Sequence, residues 1–436
     1  MAYVPRKNES LIVESFYRPF VTGILGSRRV GKSKLTAHFI TEHPELTWCL
    51  LNMDIEEQRL RISTDGLARV IEEETHVQLG KEVCLWVVID EAQKLPALFE
   101  QIKVLYDQYK DQGKIKFIVT GSSILNLHAL STESLAGRIE LFYLRAFTLQ
   151  EQVKMNLNLP DSSVLDAIFS GASAEALAEQ VALLAPFRIP LETMLEKELI
   201  WGGLPEVLKE ERDDDKKRYL RDYIQTYLER DVRAVHAIGD LNLYRKLMEV
   251  LAGQTGSIRD DTKLSKCLAA SRDTVRKYVS YLEATLMYQE LPPLIENPMK
   301  RLSKSPKAYM NNNGLVSYLY GISDLALLEK TGLIGHRVEN WVLKELQVAS
   351  DRLIDRNQIY YWRTTAEQEV DFVIQKRPHI IPIEVTYSKE VDKKKIRAMQ
   401  GFMKDYACEY GIILYRGPFI FDQEQRLCFI PLWALG

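Results

Sequence analysis

Residues 26–35 read GSRRVGKSKL, in which Gly26 and Gly31 bracket four residues and are followed at once by Lys32 and Ser33. The run sits between an apolar segment, FVTGIL, and a stretch with helical periodicity. A strand, a glycine turn and a helix in that order imply a parallel α/β layer, because the chain must cross over before its next strand can pair. The spacing G-x-x-x-x-G-K-[ST] also implies a ligand. Glycines let successive N–H groups converge on one point, and the helix adds the positive end of its dipole. On this expectation Gly26, Ser27, Arg28, Arg29, Val30, Gly31, Lys32, Ser33 and Lys34 wrap the phosphates of ATP. Lys32 reaches the β and γ phosphates, and the Ser33 hydroxyl holds Mg2+.

The next hundred residues supply matching parts. FVTGILG, LTWCLLNM, CLWVVID, IKFIVTG and ELFYLR are short apolar runs separated by amphipathic stretches, the pattern of a sheet covered on both faces. CLWVVIDE ends in Asp90 and Glu91. An acid closing a buried strand needs a cation or a hydrogen-bond partner, which suits Asp90 to support the metal and Glu91 to polarise water. IKFIVTGSS brings Thr120, Ser122 or Ser123 to a strand's carboxyl end, where α/β sheets bind ligands, with Ser122 the candidate catalytic residue. Arg138, in SLAGRIE, is a candidate for stabilising transition-state charge in its own site or in a neighbouring copy's.

The remainder is organised differently. Residues 148–240 are helical, with EERDDDKKR an exposed helix end. Residues 241–300 contain three helical stretches, of which LSKCLAASRDTVRKYVSYLEATL reads as helix, turn, helix. LPPLIENPMKRLSKSPK reads as a connector. A helix over residues 335–348, the strands QIYYWR, EVDFVIQ and IIPIEV, a helix over 392–405 and strands near Gly411 and Leu427 make an α+β unit. The 57 Lys and Arg against 60 Asp and Glu leave a net charge of −3, so nothing in the overall field attracts nucleic acid or membrane. No apolar run approaches bilayer length, and five scattered cysteines without CxxC spacing indicate reduced thiols; the expected location is the cytoplasm.

The phosphate loop, the strand ending DE, TGSS and LAGR together resemble the AAA-type ATPases, with Walker A and Walker B patterns. WGGLPEV, YLERDVR, NPMKRLSKSPKAY and EVDFVI with PIEV extend the resemblance to prokaryotic ATPases carrying a C-terminal domain of uncharacterised function. The resemblance implies a P-loop NTPase core (1–147), a helical region (148–240), a winged-helix-like module (241–300) and a C-terminal PD-(D/E)xK, restriction-endonuclease-like domain (301–436). In that last domain Glu339, Asp371 and Glu384 have the order of a nuclease carboxylate set, a candidate second metal site. The lysine expected two residues past the last acid is replaced by Thr386; Lys389 lies further on. NNNGL departs from the family as well, with Asn312 where an acid is usual.

Val275, Val279, Leu282 and Leu286 form an apolar stripe that leaves Arg272, Arg276 and Lys277 as candidate DNA contacts, with Lys300, Arg301, Lys304 and Lys307 adding basicity downstream. Residues 241–295 hold eight basic and six acidic residues, a small excess for a DNA-binding module, and a helical module packed between domains fits equally. The reading that follows is an ATP-hydrolysing, magnesium-dependent protein whose nucleotide state controls its C-terminal binding domains and DNA engagement, with self-association among the open options. The alternatives are an ATP-regulated DNA nuclease and a slowly hydrolysing ATP switch that binds a protein partner.

Overall fold

The computed structural model describes residues 3–435 apart from 82, 123–134, 161–162, 233–237, 296–303, 354–357 and 377–378. Ser123, Arg233, Lys300 and Arg301 lie outside the described residues. The chain forms two compact units, Met1–Arg145 with Ala284–Leu286, and Ala146–Glu283 with Met287–Gly436.

In the first unit the five apolar runs are β1 (Val21–Leu25), β2 (Thr47–Asn52), β3 (Leu85–Asp90), β4 (Ile115–Gly121) and β5 (Ile139–Tyr143). All pair in parallel, in the order β2-β3-β4-β1-β5. The result is a parallel sheet with crossover helices on both faces, the α/β core expected from the phosphate-loop spacing. β1, β3 and β4 are buried on both faces because helices cover both. The edge strand β2 instead alternates, with Cys49 and Leu51 inward and Leu50 exposed. Leu98, Phe99, Ile102 and Leu105 give the Leu98–Tyr109 helix its buried face against this sheet. The strand order sets the carboxyl ends of β3, β4 and β1 side by side.

The second unit begins with helices. Thr148 and Glu151 form a capping box at Leu149–Lys154, and Ser163 and Ser173 cap the next two helices. The acids of EERDDDKKR open the Asp213–Thr226 helix, where the dipole favours negative charge. Leu241–Gly253, Asp261–Leu268 and Arg272–Ala284 are the three helices expected over 241–295, with Ala269 left-handed at the tight turn. Around them β6 (Ser257–Ile258), β7 (Tyr288–Leu291) and β8 (Lys307–Met310) pair antiparallel in the order β6-β8-β7, so the proline-bearing connector joins two paired strands. Val275, Val279 and Leu282 are buried as expected, but the helix ends at Ala284 and Leu286 takes a left-handed conformation outside the stripe.

The C-terminal sheet contains β9 (Gln358–Arg363), β10 (Glu369–Lys376), β11 (His379–Val385), β12 (Gly411–Tyr415), β13 (Ile420–Asp422) and β14 (Leu427–Pro431), in the order β13-β14-β12-β11-β10-β9. Trp341, Val342 and Leu346 of the Ile334–Asp351 helix pack with Phe372, Ile374, Ile381 and Ile383 in one core, while Met399 and Phe402 of Lys393–Asp405 pack with Val370, Val373 and Ile413 in another. Val370 and Val373 belong to the same core although three residues apart, because the β9–β10 register slips by one residue between them. Asn312 caps the Asn313–Tyr320 helix, its side-chain oxygen accepting from Leu315 N. Among the described residues no helix is long and apolar enough to cross a membrane.

Candidate functional site

The turn after β1 leaves no space for side chains where it is tightest. A Cβ on Gly26 would lie 2.3 Å from the Leu144 carbonyl oxygen, and Gly31 has φ +106° as the cap of the Lys32–Glu42 helix. Lys32 is buried, and its Nζ donates to the carbonyl oxygens of Gly26 (2.8 Å) and Ser27 (3.2 Å). The far side of the loop is fixed by Arg6, whose guanidinium donates to Val30 O (2.9 Å) and Arg145 O (2.6 Å). Arg6 lies outside every motif, so nothing in its surroundings in the sequence marks it.

The acids of β3 meet this loop. Ser33 Oγ donates to Asp90 Oδ2 at 2.8 Å, and Thr120 Oγ1 donates to the other carboxylate oxygen of Asp90 while accepting from Glu91 N. Thr120 is fully buried and occupied with the acids, so it positions them and does not face a phosphate. Glu91 is held at φ +53°, a conformation unusual for a side chain of its size. Its Oε2 accepts from Ser122 Oγ (3.0 Å) and from Gln93 Nε2 (2.5 Å), and Gln93 also donates to Ser122 (3.2 Å). Gln93 is a second residue missed in the sequence; its one signal is its place two residues after the DE pair. The Gly26 cradle, the Ser33–Asp90 oxygen pair and a carboxylate aligned by two donors fit a magnesium-bound triphosphate.

Arg138 is elsewhere. Its carbonyl accepts from Val21 N (2.8 Å), which puts it at the amino end of β5, opposite the phosphate loop, and its side chain forms a two-pronged pair with Asp107 at 2.8 and 2.9 Å. A role at its own loop, one of the two expected, is therefore corrected: the length of β1, ~16 Å at 3.3 Å per residue, separates them. Arg272, Arg276 and Lys277 are exposed on one helix as expected, but Arg276 Nε is already engaged by Asp261 at 2.8 Å.

Glu339, Asp371 and Glu384 do come together, with two lysines among them. Lys307 Nζ donates to Glu339 (2.9 Å) and Asp371 (3.4 Å) and pairs with Glu369 (2.5 Å). Lys307 is therefore not part of an outward basic run; it is 1% exposed. Lys395, from the first turn of Lys393–Asp405, pairs with Glu384 (2.5 Å) and Asp371 (3.6 Å) and donates to Val385 O (2.7 Å). It supplies the positive charge that Thr386 lacks, whereas Lys389 is exposed. Asp371 enters the cluster through the register slip in β10, and its Oδ2 accepts from Val385 N (3.0 Å). Burial pushes Glu339 up to about 7 and Glu384 well above the carboxylate range, the lysines only partly opposing it. At Asp371 burial acts in the same direction, but Lys395 and Lys307 outweigh it and hold the carboxyl down at about 2.

Residues 18–153 match the AAA domain family, residues 192–326 a domain of unknown function (DUF8612) and residues 334–435 another (DUF4143). An uncharacterized protein of Mycobacterium tuberculosis is 26% identical over 96% of this chain and 81% of its own length. One of Methanocaldococcus jannaschii is 22% identical over 94% and 86%. Among solved structures, the Walker-type ATPase of Pyrococcus abyssi aligns over 73% of this chain and 96% of its own at 17% identity and TM-score 0.46. The Aeropyrum pernix ORC1 protein in complex with DNA aligns over 75% and 95% at 13% identity and TM-score 0.29.

Proposed function

We propose that the chain is a magnesium-dependent ATPase of the AAA type whose nucleotide state controls what its C-terminal regions bind. The observation that carries this is the convergence of the Gly26 loop, the Ser33–Asp90 pair and the Ser122–Glu91–Gln93 triad at the carboxyl ends of three adjacent parallel strands. Backbone N–H groups of residues 26–33 and the Lys32 ammonium would receive the phosphates, exchanging loop carbonyls for phosphate oxygens. Ser33 and Asp90 would hold Mg2+, which when bound neutralises charge developing on the phosphates. Ser122 and Gln93 both donate to Oε2 of Glu91, leaving Oε1 to accept from the attacking water. Thr120 keeps Asp90 and Glu91 in register.

A second observation supports the link to the rest of the chain. Leu144 N donates to Leu25 O (2.6 Å) and Arg6 ties Val30 O to Arg145 O, so the last residues of the first unit move with the phosphate loop. Two residues on, Phe147 O accepts from Lys344 Nζ (2.7 Å) and Gln152 Nε2 (3.1 Å) within the second unit. Lys344 shares the Ile334–Asp351 helix with Glu339. We assign residues 1–147 to the ATPase core, 148–240 to a helical region, 241–300 to a winged-helix-like module and 301–436 to a PD-(D/E)xK-like domain that binds without cleaving. DNA engagement through Arg272 and Lys277 belongs to the same reading.

The test pairs two variants. Lys32→Ala should abolish uptake of labelled ATP in magnesium buffer. Glu91→Gln should keep uptake while multiple-turnover phosphate release falls ~10²-fold or more. Unchanged uptake in Lys32→Ala refutes the site, and undiminished turnover in Glu91→Gln refutes the role of that carboxylate; wild type that takes up ATP without multiple turnover points to the slow-switch alternative.

A further inference from the structure

The acid cluster has the residues of a metal site without its geometry. Three carboxylates, from Glu339, Glu369 and Asp371, lie 2.5–3.4 Å from one ammonium, that of Lys307, and Tyr309 OH also donates to Glu339. Magnesium requires oxygens at about 2.0–2.1 Å in near-octahedral array. Among the described residues no group of three His, Cys, Asp or Glu side chains is placed to share an ion in this way. Lys395 closes the other side, against Asp371 and Glu384. A divalent ion entering here would meet two ammonium groups in a site that burial has stripped of screening water.

We infer that Lys307 is the resident cation of this carboxylate site and that no divalent metal enters it while Lys307 is in place. The lysine comes from β8, the acids from the Ile334–Asp351 helix and from β10, so the ammonium does a metal's structural work: it neutralises buried acids and fastens three elements together. Lysine suits that role because its three donors rotate to meet three acceptors, and its fixed covalent tether means the site is never vacant in the folded chain. Metal-dependent phosphodiester cleavage at Glu339, Asp371 and Glu384 is thereby excluded in this conformation, and the domain is left to bind and not to cut.

The experiment uses the full chain without nucleotide, titrated with Mn2+ and followed by the electron paramagnetic resonance of the free ion. Wild type should show no uptake that Glu339→Gln removes; any metal held near Ser33 and Asp90 is unaffected by that substitution and so subtracts out. Lys307→Met should gain one Mn2+ per chain, lost again when Glu339→Gln is added. Glu339-dependent uptake by wild type overturns the inference, as does a folded Lys307→Met that gains none. If Lys307→Met does not fold, Lys307→Met with Glu369→Gln removes one acid along with the lysine and carries the same test. Should that also fail to fold, the wild-type comparison decides. ATP uptake is a separate measurement, so failure here leaves the nucleotide site standing.

Discussion

Arg337 is 2% exposed, and among the described residues neither its Nε nor either Nη has a hydrogen-bond partner. Burial pulls its guanidinium down to about 10, with Tyr320 opposing, so it stays protonated at neutral pH. An unpaired buried cation forfeits its hydration with nothing in return. Arg337→Leu keeps an apolar stem of comparable reach and removes the charge. It should stabilise the protein by about 1–3 kcal/mol, read as a higher urea midpoint at constant slope. A lower midpoint would mean that the guanidinium has an acceptor in solution. Glu339 behaves oppositely with pH. Its folded value, about 7, exceeds its unfolded value of 4.5, so the folded state holds a proton that the unfolded state has lost across that window. The stability it contributes is full below about pH 4.5 and lost as pH rises toward 7, at most about 3 kcal/mol at 1.36 kcal/mol per unit. Urea midpoints at intervals from pH 5 to 8 should fall in wild type relative to Glu339→Gln; parallel curves would show that the carboxyl titrates normally.

Elements differ in how far they could be read from the chain. β1, β3 and β4 were legible because short, mostly apolar runs of five to seven residues with glycines and acids at their ends have few other uses. Their order was not, since pairing depends on crossovers that leave no local pattern. β6, β7 and β8 have two to four residues each, too few for a period, so YQEL and KAYM, on either side of the connector, were not read as strands. The candidate site was legible where strand ends carried it, at Asp90, Glu91 and Ser122, and illegible where a long side chain arrives from another element, as Arg6 does across 24 residues to Val30. The acid cluster shows the same limit. Glu339, Asp371 and Glu384 were identified in order, but the identity of their cation turned on Lys307, 64 residues before Asp371 and read only as added basicity downstream of the helical module. Counting charge in the helix-turn-helix did not reveal that Asp261 already neutralises Arg276.

For the molecule as a whole, the proposed hydrolysis calls for a cation to meet charge developing on the transferred phosphate. Lys32 is assigned to the β and γ phosphates already, and Arg138 stands at the wrong end of its own sheet. A second copy changes that geometry: the amino end of β5 is exposed enough for Arg138, about a third accessible and held by a similarly exposed Asp107, to exchange that partner for a phosphate across a subunit boundary. Exposed pairs of this kind are worth little and give way readily. Arg138→Ala should therefore retain ATP uptake but lose turnover, by roughly 10³-fold if it performs the usual work of such an arginine. Mixing it with Lys32→Ala protein, which has an intact Arg138 and a dead loop, should restore phosphate release, because the one supplies the site and the other the arginine. Wild-type activity per chain should rise with protein concentration, in step with ATP-dependent growth in light-scattering mass. If Arg138→Ala alone turns over at the wild-type rate, or if the mixture stays as inactive as its parts, the arginine is structural and each copy hydrolyses by itself.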